Sequence, residues 1–400
     1  MTSAPALAID LSRLVAGALR DTPRGIDRVE LLYARHYLQS WAGDCFSVLA
    51  LPWGTRTYTR KEAMRGIDAI CAHWGEDGAG RGVISRRLAG FTATLAAPRS
   101  LGGRPEKLPT GALYLNVGHT SLSQPRTTAW LRRRPDVRAA FMLHDVIPLQ
   151  HPAYFTPSEL RYFRRILDMV PRARGVIFNS QAVAEAYAAG GEPQPPFTLV
   201  QPLPVEPAFL QSPPSVPRQP AYFVACGEME ARKNFGLLID VWRALAGDDG
   251  PPIKLVIVGG RGNAASDLFA KARQWDPDAR HVEARHGLTT PQLRDLLQGA
   301  VALLAPSRAE GFDLPVTEAL ALGVPVLASD IPVHRETGRS HALHLSPFDA
   351  GAWLAAIRRL RDEPAELARR QALARTFRPL SPATYFRAVT AFLHRLTQEA

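Results

Sequence analysis

The amino-acid sequence predicts an α/β protein built from two doubly wound parallel-sheet domains. Length is the first observation, because 400 residues exceed what one hydrophobic core usually serves. The second is an alternation, along the whole chain, of short β-rich apolar runs with longer segments of helical period. The third is the stretch 211–220, where four prolines in ten residues predict a stiff connector at the domain boundary.

The first domain, residues 1–210, is predicted to hold five strands with helices between them. Helical period is clearest in residues 27–42 and 157–172. The predicted strands are residues 46–52, 112–118, 139–145, 175–180 and 197–203.

The second domain, residues 211–379, repeats this alternation. Its predicted strands are residues 221–227, 253–260, 301–307 and 324–330, and its predicted helices include residues 234–246 and 291–300. The second domain does not need the amphipathic segment 382–396 to complete its own fold, so we expect residues 380–400 to cross back to the first domain. Ligands of such folds lie at the carboxyl ends of the strands, which predicts a site in a cleft between the two domains.

Charge is unevenly distributed between the two halves. Residues 1–200 hold 25 Lys and Arg against 16 Asp and Glu, whereas residues 201–400 hold 23 against 21. The basic first half predicts an anionic partner, either a phosphorylated substrate or a bilayer surface. Nucleic acid is disfavoured, because no Lys/Arg run is interleaved with aromatic residues and no nucleic-acid motif occurs.

Cysteine usage and hydropathy predict a cytoplasmic protein. Cys45, Cys71 and Cys226 are scattered without the paired spacing of a zinc site, and Cys226 ends an apolar run typical of a core strand. The amino terminus lacks the basic and apolar regions of a secretory signal, and no run of about 18 uncharged apolar residues occurs.

Two glutamates bracket a short turn in the second domain. In "RAEGFDLPVTEALALGVPVLASD", residues 308–330, Glu310 follows a predicted strand and Glu318 lies one turn inside a predicted helix. Pro315 suits the first turn of that helix, and Gly323 suits its end. The helix N-terminus offers unpaired N–H groups to ligand oxygens, and the carboxylates accept from hydroxyls. Alternatively, the two glutamates only complement the helix dipole.

Several motifs resemble one enzyme family. The stretch "EGFDLPVTE" resembles the Glu-x7-Glu motif of retaining GT-B glycosyltransferases, especially the large family 4. The segment "GEMEARKNFGLLIDVW", residues 227–242, is similar to the family's "G…RKN…L" segment. "HDVIPLQHPAYF", "VIFNSQAVAE" and "TPRGIDRVELLYA" resemble the first domain of bacterial mannosyltransferase-like members. The resemblance covers most of the chain, is strongest over 221–336, and implies the GT-B fold.

The resemblance implies roles for residues of the second domain. Arg232 and Lys233 would bind the diphosphate of a nucleotide sugar, whose negative charge grows as the glycosidic bond breaks. Glu318 would accept from the ribose hydroxyls. The donor hexose would be held by Glu310 and by the backbone of the adjoining loop, namely Gly311, Phe312 and Asp313, with Leu314 beside them.

Two residues of the first domain complete the predicted site. His144 follows a strand in "HDVIP", and the resemblance implies that it contacts the donor sugar; a structural His–Asp pair with Asp145 is the alternative. Gly25, in "PRGIDR", would let the backbone approach the diphosphate, or would only form a turn before a helix.

No metal or other cofactor is expected. Asp276-Pro277-Asp278 has the Asp-x-Asp form of metal-dependent enzymes, but it lies in a proline-containing turn between a helix and a short strand. Glu228 follows Gly227 where many family members carry arginine, a difference that bears on the identity of the donor.

The sequence therefore predicts a retaining, metal-independent hexosyltransferase, with mannose from GDP-mannose favoured as donor. The expected partners are the nucleotide sugar, a glycan or lipid-linked acceptor for surface polysaccharide, and the anionic inner membrane as a peripheral contact. A UDP-sugar-dependent enzyme of the same fold and a non-catalytic partner subunit are the alternatives. An epimerase lacks the Glu-x7-Glu arrangement, a phosphorylase needs a pyridoxal-phosphate lysine motif, and "VGGRGN" lacks the third glycine of a dinucleotide fingerprint.

Overall fold

The computed structural model describes residues 4–20, 22–75, 102–210 and 217–398. The chain forms two compact units, of which unit 1 comprises Met1–Asn179, Val183–Gln201 and Ala383–Ala400, and unit 2 comprises Ser180–Ala182 and Pro202–Pro382. The chain thus enters the main part of unit 2 at residue 202, nine residues before the predicted boundary at residue 211. Part of the predicted connector, residues 211–216, lies outside the described residues.

The described residues of unit 1 form a seven-stranded sheet in the order β3-β2-β1-β4-β5-β6-β7. All neighbours are parallel except β3, which pairs antiparallel with β2. The strands are β1 (Leu7–Asp10), β2 (Cys45–Leu51), β3 (Gly54–Thr59), β4 (Leu113–Asn116), β5 (Arg138–Leu143), β6 (Gly175–Phe178) and β7 (Phe197–Val200). The helices of unit 1 are Ser12–Gly17, Gly25–Ser40, Arg60–Trp74, Pro125–Arg133, Ile147–Gln150, Pro157–Leu167, Gln181–Ala189 and Pro382–Gln398.

Unit 2 is built on a six-stranded parallel sheet in the order β10-β9-β8-β11-β12-β13. Its strands are β8 (Tyr222–Cys226), β9 (Lys254–Val258), β10 (Val282–Arg285), β11 (Leu303–Ala305), β12 (Val326–Ser329) and β13 (Leu343–Leu345). Its helices are Pro207–Leu210, Phe235–Leu245, Ala265–Arg273, Thr290–Gln298, Leu314–Ala321, Pro332–Gly338, Ala350–Asp362 and Pro364–Ala374. This strand order is the one found in doubly wound, dinucleotide-binding sheets.

Side chains along the central strands of the second sheet point alternately to its two faces, and both faces are apolar, which explains why helices cover both. Phe223 and Ala225 belong to one core cluster, whereas Val224 and Cys226 belong to the cluster on the opposite face. Because both faces are apolar, the strands appear in the sequence as continuous apolar runs. Cys226 is a buried core residue, as predicted.

The last helix, Pro382–Gln398, packs on unit 1. Its Tyr385 hydroxyl lies 2.6 Å from the hydroxyl of Tyr33, and its Phe386 ring stacks on His36 with the centroids 3.9 Å apart. A Cβ added to Gly175, at the start of β6, would lie 2.6 Å from Cζ of Phe392. The predicted crossing of the closing segment to the N-terminal domain is therefore confirmed.

Candidate active site

The loops that follow β8 and β11 carry the predicted residues of unit 2. These two strands are neighbours, and the strand order runs outward from them in both directions. Such a switch point leaves a crevice outside the carboxyl ends of the strands, where ligands of doubly wound sheets bind. Arg232 and Lys233 lie after β8, and residues 310–313 lie after β11.

Arg232 and Lys233 both form ion pairs with Glu310. Nη1 of Arg232 lies 2.9 Å from Oε2 of Glu310, and Nζ of Lys233 lies 2.5 Å from Oε1. Arg232 also reaches Glu230 through Nε at 2.8 Å and donates to the carbonyl oxygen of Ala309 at 3.2 Å. The structure thus brings Glu310 together with two residues that lie nearly 80 positions earlier in the sequence.

Gly227 makes room for the lysine stem. Its φ of 145° lies in a region that L-amino acids avoid, and an added Cβ would lie 2.7 Å from Cε of Lys233. A glycine is therefore required at position 227 for steric reasons, because a side chain there would displace Lys233 from the cluster.

Buried charges determine the protonation of this cluster. Burial opposes the charged form of Lys233, but the carboxylates of Asp313 and Glu310 outweigh it and raise the lysine pKa. Burial likewise opposes the charged form of Glu310, while Lys233 and Arg232 outweigh it and lower its pKa. Both groups are therefore ionised near neutral pH, so the site presents cations for a phosphate and a carboxylate for a hydroxyl.

Asp313 joins the cluster through its side chain. Oδ1 lies 3.2 Å from Nζ of Lys233, and Oδ2 lies 3.0 Å from Nε2 of His334. Burial raises the pKa of Asp313, but Lys233 and His334 together hold it well below its usual value. The sequence predicted a role only for the backbone of Asp313. The sequence did not predict a role for His334. The feature that could have indicated one is its position five residues after the end of β12.

The remaining predicted residues of unit 2 lie at the start of the helix Leu314–Ala321. Asp313 is its N-cap residue, and Gly323 follows its end with a φ of 74°, as predicted. Within the described ranges, no hydrogen-bond acceptor is found for the amides of Gly311 and Phe312. Glu318 lies in the second turn of the helix and is buried.

His144 lies in unit 1, directly after β5. Its Nε2 lies 2.8 Å from the carbonyl oxygen of Val117, so that nitrogen carries the proton and Nδ1 is left as an acceptor. Burial, reinforced by His119, lowers its pKa well below the usual value, and the ring is neutral at neutral pH. Nδ2 of Asn179 donates to the backbone carbonyl of His144 at 2.8 Å and fixes the residue at the strand end.

The ring of His119, a residue for which the sequence predicted no role, packs against His144 with the ring centroids 5.1 Å apart. Its Nε2–H donates to the carbonyl oxygen of Met142, and its φ of 65° is left-handed. Its backbone N–H donates to Asn116, whose amide in turn donates to Ser121 at 2.7 Å. The position of His119 directly after a strand, in "GHTS", is the signal that could have singled it out.

Gly25 is the first residue of the helix Gly25–Ser40 in unit 1. A Cβ added there would meet no atom within 4 Å, so the packing of the protein itself does not require a glycine. Asp27, two residues further in the same first turn, is paired with Arg13 at 3.1 Å and with Arg20 at 2.5 Å. The predicted approach of Gly25 to a diphosphate remains a prediction.

Asp276 has a structural role in its turn. Its carboxylate accepts from the backbone N–H groups of Arg280, His281 and Val282 at 2.8 to 2.9 Å. Asp278 is largely exposed and pairs with Arg280. The Asp-x-Asp stretch is therefore a capped turn, and among the residues described no group of three or more His, Cys, Asp or Glu could hold a metal ion.

Comparison with protein families and curated proteins supports the resemblance. Residues 210–376 match the family model described as glycosyl transferases group 1. An O-antigen chain mannosyltransferase, RfbU of Salmonella typhimurium, is 29% identical over 235 residues, which cover 57% of this chain and 62% of that protein. A serotype-specific mannosyltransferase, WbdA of Escherichia coli, is 27% identical over 52% of this chain and 28% of that protein. The chain therefore spans less than two thirds of the length of these relatives.

Solved structures show the same fold. Anabaena HepE, solved in complex with UDP-glucose, aligns with a TM-score of 0.65 over 98% of this chain and 100% of that chain, at 15% identity. Sucrose-phosphate synthase from Thermosynechococcus elongatus aligns with a TM-score of 0.60 over 98% and 96%, at 17% identity. The architecture is thus the GT-B fold, as predicted.

Proposed function

We propose that this chain, whose residues 210–376 match the family model described as glycosyl transferases group 1, transfers a hexose from a nucleotide sugar to an acceptor hydroxyl. The observation that carries the proposal is the buried cluster of Arg232, Lys233 and Glu310 at the switch point of the second sheet. Two cations and a helix N-terminus there suit a pyrophosphate, and an ionised carboxylate suits a sugar hydroxyl.

The cluster provides the groups that departure of a nucleoside diphosphate needs. The guanidinium of Arg232 can bind two phosphate oxygens, and the ammonium of Lys233 supplies a compact charge. Both stabilise the negative charge that grows on the leaving group, so they act mainly in the transition state. Glu310 then accepts from the hexose hydroxyls and Glu318 from the ribose, while the amides of Gly311 and Phe312 donate to oxygens of the donor.

We propose a front-face reaction with retained stereochemistry. The departing phosphate oxygen takes the proton of the attacking hydroxyl while the glycosidic bond breaks and the new bond forms on the same face. Glu310 is held between Arg232 and Lys233, which suits a binding carboxylate more than a nucleophile. His144, neutral and with Nδ1 as its acceptor, suits a contact to a sugar hydroxyl. The two cations supply the charge that a metal ion supplies in other transferases, so no metal is required.

GDP-mannose is the proposed donor, and mannose the transferred hexose. The support is that RfbU and WbdA, which are similar to this chain, are both described as mannosyltransferases. A UDP-sugar is the alternative, since HepE was solved in complex with UDP-glucose. Thermal-shift measurements with GDP-, UDP- and dTDP-sugars distinguish the two, because the bound donor raises the melting temperature.

The proposed acceptor is a glycan or lipid-linked intermediate of a surface polysaccharide, reached at the inner face of the membrane. The helix Pro157–Leu167 exposes Arg161, Arg165 and Tyr162, a composition that suits an anionic lipid surface. None of the helices described is long and apolar enough to span a bilayer. The basic segment 130–138, "WLRRRPDVR", is another candidate for the membrane contact, but its Arg134 is held by Asp136 and by three backbone carbonyls.

Donor turnover by the purified protein tests the enzyme against the partner-subunit alternative. We expect hydrolysis or transfer of one nucleotide sugar, with retention at the anomeric carbon of the product visible by NMR. A protein that neither binds nor turns over any nucleotide sugar would be the non-catalytic subunit.

Co-sedimentation with vesicles containing phosphatidylglycerol, compared with neutral vesicles, tests the membrane contact. The double substitution Arg161→Glu with Arg165→Glu is expected to abolish co-sedimentation.

A further inference from the structure

A chain of polar contacts connects the proposed diphosphate lysine to the end of β12. Nζ of Lys233 lies 3.2 Å from Oδ1 of Asp313, and Oδ2 of Asp313 lies 3.0 Å from Nε2 of His334. Nδ1 of His334 lies 3.1 Å from the backbone carbonyl oxygen of Ser329, the last residue of β12. The lysine is thus connected, through two side chains, to a rigid strand.

We propose that Asp313 and His334 are positioning residues that hold the Lys233 ammonium where the donor diphosphate binds. This inference rests on the proposed function, because it takes Lys233 as the diphosphate contact. His334 is fully buried, so it acts through Asp313 and not on a substrate. Asp313 is the connecting group because each of its oxygens has a different partner.

Hydrogen bonding shows what His334 contributes. The carbonyl oxygen of Ser329 and the ionised carboxylate of Asp313 are both acceptors, and one ring nitrogen of His334 lies within hydrogen-bonding distance of each. These two contacts fix the ring, and the fixed ring in turn fixes the Asp313 carboxylate. Without it, the carboxylate is free to rotate and Lys233 loses one of its two anchors, the other being Glu310.

The backbone of Asp313 indicates that its side chain is needed. Its φ of 64° and ψ of 70° lie in the left-handed region, which is strained for an L-residue relative to glycine. A glycine would form the same turn without strain. The protein instead places an aspartate there and uses both of its oxygens, which we attribute to the need to hold Lys233.

The first test separates hydrogen bonding from packing at His334. His334→Gln keeps an N–H donor of similar size, whereas His334→Phe keeps the ring volume and removes both ring nitrogens. Titration calorimetry with GDP and with UDP measures the dissociation constant for each variant. We expect His334→Phe to weaken binding about tenfold, as for loss of a hydrogen bond in a charged network, and His334→Gln to stay within about threefold of wild type. His281→Gln, in a turn remote in sequence from the cluster, is the matched control.

The second test uses Asp313→Gly, which relieves the backbone strain. We expect cooperative thermal unfolding to be retained while nucleoside diphosphate binding falls about tenfold and the donor KM rises more than kcat falls. If His334→Phe does not fold, Asp313→Gly still tests the positioning role. An aspartate with a purely structural role would leave nucleoside diphosphate binding unchanged when it is replaced by glycine.

The outcomes distinguish the two proposals. If wild-type protein binds neither GDP nor UDP, the proposed function is wrong and the positioning role falls with it. If the wild type binds one of them and folded His334→Phe and Asp313→Gly bind it equally well, only the positioning role is overturned. Equal losses in His334→Gln and His334→Phe would also contradict it, because a retained donor should restore binding.

Discussion

Nζ of Lys233 lies 2.5 Å from Oε1 of Glu310, and both side chains are less than one tenth exposed. Two opposite charges buried at this distance stabilise each other against the loss of water. Removing either one leaves the other buried without its main partner. The pair therefore has a structural role in addition to the role that we propose for it in donor binding.

We predict that Glu310→Ala and Lys233→Ala abolish transfer. For Lys233→Ala the expected loss in kcat/KM is at least about 100-fold, because one positioned donor contributes about 3 to 4 kcal/mol in a transition state. Initial rates with the preferred donor measure it. The matched control is Lys271→Ala, since Lys271 is 43% exposed and pairs with Asp240, which is itself 39% exposed. Wild-type rates in either site variant would refute the site.

Transfer should persist after exhaustive treatment with EDTA. The reason is that, in the mechanism we propose, Arg232 and Lys233, which lie in one cluster with Glu310, supply positive charge to the leaving diphosphate. Rates before and after chelation, followed by addition of manganese or magnesium, measure the effect. If chelation stops the reaction and a metal restores it, the metal-free mechanism is wrong.

Stability should fall as the pH is lowered from about 6.5 towards 4, and His119 should cause part of the loss. Burial lowers the pKa of His119 from 6.5 to about 4. Between these values the unfolded chain binds the proton and the folded protein does not, so acid favours unfolding. Each such group adds a slope of up to about 1.4 kcal/mol per pH unit.

His119→Asn provides the comparison, because asparagine tolerates the left-handed backbone at this position without titrating. We expect its melting temperature to fall less steeply than that of the wild type between pH 6.5 and 4.5. Some slope should remain, since the pKa of His144 is lowered as well. Parallel curves for the two proteins would contradict the assignment.

Phe386→Ala should destabilise unit 1 by about 3 to 5 kcal/mol, the usual cost of emptying a buried aromatic site. Phe386 is 2% exposed and touches His36 and the ring of Tyr33. Differential scanning calorimetry should show a lower melting temperature for the unit 1 transition. Phe348→Ala is the control, because Phe348 is 74% exposed and should change stability by less than about 0.5 kcal/mol. Equal effects of the two substitutions would argue against the packing of the last helix on unit 1.

Strands with long apolar runs were predictable, and those with short or alternating runs were not. All nine predicted strands correspond to observed ones, from β2 to β12. The strand β1 was missed because the apolar run that contains it is short in the sequence, lying between Pro5 and Asp10, and its position in the sheet depends on the neighbours β2 and β4. The strand β3 was missed because "GTRTYT" is polar and alternates, which suits the antiparallel edge position that it takes.

Helix ends were predictable to within a few residues. The predicted helix 234–246 is observed as Phe235–Leu245, and the predicted segment 157–172 ends its α-helix at Leu167 before a short 3₁₀ turn. The proline at position 171 and the buried Val170 explain the early end, since proline lacks the N–H that the next helical turn requires.

Sequence by itself determined the alternation of strands and helices, the apolar character of both faces of the second sheet and the glycines that the turns require. These are local properties, because they depend on spacing and on the backbone freedom of single residues. Only the tertiary structure decided that Lys233 stands between Glu310 and Asp313, and that His334 supports Asp313 from a later helix. Such contacts join loops from different strands, and sheet order brings together residues whose distance along the chain contains no information about their distance in space.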